Sequence, residues 1–165
     1  MRLPRTTIDS SVGSEHLAVL ELVSQNSTVL DLGCGNGGLL SLLVKERKVK
    51  GQGIEIDEQA IYECVARWLS VCHGDIDAGL SEYKEKSFDY VILCQSFQQV
   101  RNPDVVLREA SRVGKEVIVS FPNFGHYRVR FQIFFTRKLG GRITGFSAGK
   151  YGCYPIYLSV ALDLL

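Results

Sequence analysis

The sequence predicts an α/β fold, a doubly wound and mostly parallel sheet with helices on both faces. Three observations predict it. Short apolar runs alternate with helical patterns along residues 14–123. A glycine-rich turn joins the first run to the helix that follows it. An acidic residue, Glu55, closes the second run about 20 residues beyond that turn. Strands separated by helices at this spacing require βαβ crossovers, and crossovers impose parallel pairing.

The elements follow in order. Residues 14–25 carry Leu17, Leu20 and Val23 at helical spacing, with Ser14 as N-cap. TVLDL (28–32) is the first strand, and GGLLSLLVKER (37–47) is a helix that opens on the glycine cluster. VKGQGIEID (49–57) gives the second strand, and EQAIYECVARW (58–68) a helix capped by Asp57. VCHGD (71–75) is the third strand. SFDYVILC (87–94) is the fourth, where Asp89 serves the strand or its cap. Asn102 and Pro103 make an N-cap and N1 pair for the helix 103–113. EVIVSFPN (116–123) is the fifth strand. Residues 126–135 fit strand or helix equally. From Gly140 on, glycines and aromatics show no clear period, and YPIYLSVALDLL (154–165) reads as one last strand or helix. The expected division is a ligand-binding domain over 1–138 and an atypical C-terminal tail of the same domain over 139–165.

Composition narrows the function. The chain has 165 residues, 45% of them hydrophobic, which suits one globular domain. Lys+Arg 19 against Asp+Glu 18 leave a net charge of +1. That balance gives no general pull toward nucleic acid or an acidic membrane. The KERKVK run (45–50) falls at a helix end, where it complements the dipole. No apolar stretch approaches the ~18 residues of a membrane span, and MRLPRTTIDS lacks a signal-peptide core. The five cysteines include no CxxC, and the three histidines stand apart. A disulfide framework and a metal site are not expected, and the thiols read as reduced, mostly buried and cytoplasmic.

VLDLGCGNG (29–37) holds the site signal. Gly33, Gly35 and Gly37 let the backbone turn tightly and let a ligand approach without Cβ interference. Asp31 stands two residues before the first glycine, and Glu55 is placed to accept from ribose hydroxyls. Three readings of the turn stand side by side. One is a site for S-adenosylmethionine, one a site for another ligand of Rossmann-like folds such as a nicotinamide dinucleotide, and one a purely structural corner. Asp31 would repel a pyrophosphate and attract a sulfonium or ammonium, which favours S-adenosylmethionine.

The pattern VLDLGCGNG…GIEID resembles the nucleotide half of class I S-adenosylmethionine-dependent methyltransferases, a Rossmann-like fold. The resemblance implies that Asp31 orients the ammonium. It implies that Gly33, Gly35 and Gly37 form the cofactor turn and that Glu55 binds the ribose. Ile56 and Ile76 would then wall the adenine, and Asp75 in HGDID would accept from its amino group. Gln95, after strand four, would line the pocket beside the cofactor. Gln95, Asn123 and His126 are the candidate catalytic residues. Arg128 and Arg130 could hold an anionic substrate or simply form a solvated face. The acceptor loop (Asp/Asn)-Pro-Pro-(aromatic) of nucleic-acid amine methyltransferases is absent, so a small-molecule acceptor is expected.

A closer resemblance spans residues 26 to about 138. LDLGCGNGGLL, DIDAGL, SFDYVIL and above all SFPNFGHYRVR are similar to the MetW family, methionine biosynthesis protein W. That resemblance implies a homoserine O-acyltransferase as partner. It leaves two roles open: methyl transfer to a small molecule, or a non-catalytic accessory protein that senses S-adenosylmethionine. The family's C-terminal Asp, Asn and His are missing from YGCYPIYL (151–158). A shortened or atypical sheet edge is therefore expected, and an exposed edge would favour a homodimer.

Overall fold

The computed structural model describes residues 14–94, 96–122 and 153–158. Their order is α1 (Ser14–Leu22), β1 (Thr28–Leu32), α2 (Gly38–Arg47), β2 (Lys50–Glu55), α3 (Glu58–Ala66), β3 (Ser70–His73), β4 (Phe88–Cys94), α4 (Pro103–Val113), β5 (Gly114–Pro122) and β6 (Cys153–Leu158). One sheet takes the order β3-β2-β1-β4-β5-β6. The first four pairings are parallel, and β6 runs antiparallel to β5. The doubly wound, mostly parallel expectation holds. The segment left between strand and helix contributes an edge strand, with Pro155 opposite Ser120. An edge position tolerates the proline because one side of the strand needs no ladder donor.

Period-two alternation divides the core into two layers. Val29, Tyr90, Ile92 and Ile118 face α1 and α2, packing with Val19, Val23, Leu39 and Leu43. Leu30, Leu32, Val91, Leu93, Val117 and Val119 face the other way, onto Val106, Leu107, Ala110 and Val113. Fully burying each such Leu or Val side chain contributes about 1.5–3 kcal/mol. Asp31 points to the same side as Val29, between apolar neighbours, and is only 2% exposed.

Polar side chains tie the elements together. Asp89 Oδ2 accepts from both the N–H and Oγ1 of Thr28 at 2.8 Å, and Asp89 N–H donates back to Thr28 Oγ1 at 2.9 Å. The start of β4 is thus fastened to the start of β1. Asp57 Oδ1 accepts from Ala60 N–H at 2.8 Å and caps α3, as expected. Asn102 occupies the α4 N-cap position, yet its side chain makes no capping bond there. Arg47, in the last turn of α2, donates from Nε to the Leu20 carbonyl at 2.9 Å. Two short 3₁₀ turns, Ile76–Ala78 and Ser96–Gln99, follow β3 and β4 and were not foreseen. Among the described residues no helix is long and apolar enough to cross a membrane. None of them forms a His/Cys/Asp/Glu group able to hold a metal ion.

Candidate functional site

A cavity of about 610 Å³ opens at the carboxyl ends of the strands, where the order reverses about β1. The turn from β1 to α2 forms its floor. Gly33, Gly35 and Gly37 all have φ between +53° and +74°, a region costly for residues with a Cβ. Their surroundings differ. A Cβ on Gly33 would lie 2.5 Å from Ser96 Cβ, whereas one on Gly35 would meet nothing within 4 Å. Gly35 therefore faces open space that a ligand can enter. Gly37 has a packing requirement as well: a Cβ there would press on Leu69 and Cys64.

Five of the turn's backbone donors are committed inside the protein. Gly33 and Cys34 N–H donate to the Ile54 carbonyl, and Gly37 N–H to the Cys34 carbonyl. Gly35 N–H donates to Glu55 Oε2 at 2.7 Å, and Gly38 N–H to Asn36 Oδ1 at 3.1 Å. These five amides are held by the protein's own acceptors, which leaves none of the five free for a phosphate.

The carboxylates set the opposite preference. Asp31 Oδ1 is buried and accepts no hydrogen bond. Burial pushes its carboxyl up to about 7, and the charge of Glu55 adds to the shift. An unpaired buried carboxyl is costly, and a ligand cation at that oxygen relieves the cost. Glu55 Oε1 accepts from Ile56 N–H at 2.9 Å and Asp57 N–H at 3.1 Å. With about four acceptor positions on a carboxylate, Glu55 keeps roughly one for a hydroxyl. Asp75 Oδ1 accepts from Asp77 N–H at 2.9 Å and caps the first 3₁₀ turn. Ile56 is 59% exposed at the cavity, and Ile76 is half-buried against the core. The cavity suits a ligand cationic at the Asp31 end, with a flat apolar group between Ile56 and Ile76.

Asp31, Gly33, Gly35, Glu55, Ile56, Asp75 and Ile76 therefore meet at one cavity. Gln95, Asn123, His126, Arg128 and Arg130 lie outside the described residues. Other groups also line the cavity. Ser96 donates from Oγ to the Leu32 carbonyl at 2.6 Å and closes the far side of the turn. Asp77 accepts from Arg101 and Asn102 N–H at 2.9–3.1 Å and fixes the segment after β4. His16 reaches the cavity from α1, its pKa lowered by burial and raised again in part by Glu15. The HGDID motif already contained Asp77, but helical spacing could not say which side of α1 His16 would take.

The comparisons agree with this architecture. A family model described as "Methionine biosynthesis protein MetW" matches residues 13–144. The bifunctional methionine biosynthesis protein MetXA/MetW of Rhodopirellula baltica is 33% identical over 135 residues. That alignment covers 77% of this chain, which spans 22% of the relative's length. An S-adenosylmethionine-dependent methyltransferase from Aquifex aeolicus superposes with a TM-score of 0.71 at 18% identity, over 88% of this chain and 89% of that one. TrmK of M. capricolum, solved with its natural cofactor product S-adenosyl-homocysteine, superposes with a TM-score of 0.67 at 14% identity, over 91% and 69%. The fold is that of the S-adenosylmethionine-dependent methyltransferases, and the chain belongs to the MetW family of methionine biosynthesis proteins.

Proposed function

We propose that the chain binds S-adenosylmethionine in this cavity and transfers its methyl group to a small molecule in the cytoplasm. The observation that carries the reading is Asp31, a buried carboxyl with an unpartnered oxygen beside a turn in which the Gly33, Gly35 and Gly37 amides are already committed. That donor set fits an ammonium and disfavours a pyrophosphate. When bound, the cofactor supplies a methyl group already activated on a sulfonium. Asp31 holds the ammonium, and Glu55 accepts from one ribose hydroxyl with its remaining lone pair. Ile56 and Ile76 exclude water from the adenine faces, and the second oxygen of Asp75 accepts from the adenine amino group. Gly35 leaves room for the chain between them. Much of the rate then comes from alignment of acceptor, methyl and sulfur. Gln95, Asn123 and His126 remain the candidates for contact with the acceptor.

A second reading has its own support. The relative that joins MetXA and MetW in one chain favours an accessory role beside a homoserine O-acyltransferase. The carboxylates of Glu55, Asp57, Asp75 and Asp77 already accept backbone N–H bonds, which weakens each as a general base. Titration calorimetry with S-adenosylmethionine tests the shared step. Assay of S-adenosylhomocysteine release with homoserine-pathway metabolites then separates the roles. Binding with turnover supports methyl transfer, and binding without turnover plus co-purification with the acyltransferase supports the accessory role. No binding, with Asp31→Ala matching the unsubstituted protein, removes both.

A further inference from the structure

We propose that Cys34 and Cys64 form a redox modification site, in which a hydroperoxide joins them as a disulfide that closes the cofactor cavity. The proposed cofactor chemistry uses neither thiol, and both are buried. Cys34 lies inside the glycine turn, between Gly33 and Gly35, and Cys64 lies in the last turn of α3. Their sulfurs are 4.0 Å apart, though the residues are 30 apart in sequence. Both thiols point at one acceptor, the Gly35 carbonyl, at 3.8 Å from Cys34 and 3.2 Å from Cys64. The pair is therefore already in contact, and forming the ~2.05 Å bond needs a closure of about 2 Å.

Access runs through the cavity. Cys34 is among its lining residues and is 8% exposed, whereas Cys64 is fully buried. A small peroxide reaches Cys34 first. The Cys34 thiolate attacks one peroxide oxygen, giving the sulfenic acid and hydroxide, which takes up the thiol's proton as water. The Cys64 sulfur then attacks the sulfenic sulfur, and the second oxygen leaves as water with the Cys64 proton. Two thiols are oxidised and one peroxide is reduced to two waters. Burial raises both thiols above their usual range, and the charges of Asp31 and Glu55 add to that at Cys34. The reaction is consequently slow in the empty protein, and it answers to sustained oxidant rather than to brief exposure.

The bond would act on the turn itself. Drawing the sulfurs together removes both S–H donors from the Gly35 carbonyl. It also shifts Cys64, whose sulfur lies 2.9 Å from where a Gly37 Cβ would be. The Cys34 sulfur rests against the Gly53 backbone, where a Cβ would lie 2.5 Å from it. Drawing the Cys34 sulfur about 2 Å toward Cys64 pulls on the turn that carries it, residues 33–37, which holds the ligand space at Gly35.

The test uses the full chain, hydrogen peroxide and S-adenosylmethionine. Expected are the loss of two hydrogens by intact mass and a Cys34–Cys64 cross-linked peptide in a non-reducing digest. S-adenosylmethionine affinity should fall about tenfold or more and return with dithiothreitol. S-adenosylmethionine added beforehand should slow the oxidation, and Cys64→Ser should bind normally yet lose the peroxide response. Cys34 and Cys64 remaining alkylatable after oxidation of the exposed Cys72 would overturn the proposal, as would a disulfide that leaves affinity unchanged. The effect on affinity rests on the cofactor reading. If the reduced protein does not bind S-adenosylmethionine, that reading fails, while the mass and peptide data still decide whether the disulfide forms.

Discussion

The Glu55 carboxylate accepts the Gly35 backbone N–H at 2.7 Å, so the acid that ends β2 fixes the turn that follows β1. In the proposed function a second job falls to the same side chain, the ribose contact. Glu55→Gln turns an amide N–H or a weaker acceptor toward Gly35. S-adenosylmethionine affinity is expected to fall about 10- to 100-fold, the range of a lost charge-assisted hydrogen bond. Calorimetry on the variant gives the answer, and an unchanged affinity would detach Glu55 from the ligand.

Asp31→Asn should separate stability from binding. The free protein gains, because an unpaired buried carboxyl is replaced by a neutral isostere, and about 1 kcal/mol corresponds to a melting temperature 2–4 °C higher. Binding falls, because the ammonium loses its counter-charge. A variant that loses both stability and binding would mean that Asp31 has a partner in the free fold.

The pH dependence carries a definite sign. Asp31 titrates at about 7 when folded, above its ordinary carboxyl value of 3.8. The folded state thus binds more protons across that window. The stabilisation is complete below about 4 and is lost as pH rises through 7. Chemical unfolding from pH 4 to 8 should show this fall, and Asp31→Asn should flatten it. S-adenosylmethionine should bind more tightly as pH rises toward 7, releasing a proton detectable as buffer-dependent binding heat.

Asp89 has the opposite sign. Its bonds to Lys115 and Thr28 hold the carboxyl down at about 2, so its contribution is present above about 4 and disappears as pH falls through 2. Asp89→Asn should cost about 1–2 kcal/mol at neutral pH, read from denaturant midpoints, and leave S-adenosylmethionine binding unaltered.

Two alanine substitutions in the turn should behave differently. Gly33→Ala meets Ser96 as well as a positive φ, so it should lower the melting temperature and abolish binding. Gly35→Ala meets only the positive φ, at about 1–2 kcal/mol, and its larger effect should appear in affinity. Equal effects of the two on affinity and stability would argue against a ligand at Gly35.

Much of this was legible in the sequence because the decisive signals were local. TVLDL gave β1 with its observed boundaries, and the glycines with Asp31 and Glu55 gave the cavity floor. Less legible were choices made by tertiary contacts. The first helix was expected to run to residue 25 but ends at Leu22, ahead of Asn26, which has φ +61°. Gly37 looked like its neighbours in sequence and differs only in facing Leu69 and Cys64. Whether His16 would line the cavity depended on the roll of α1, which has no sequence period.

The pairing of β6 with β5 also sets an order of events during synthesis. The outer edge of β5 is complete at Pro122, but its partner begins at Cys153, with 30 residues between them. At about 5–20 residues per second that interval lasts roughly 2–6 s. Through it, a nascent sheet already joined in parallel from β3 to β5 presents an unmatched strand edge, the surface most prone to stray pairing with another chain. A chaperone that shields β5 would act within that window.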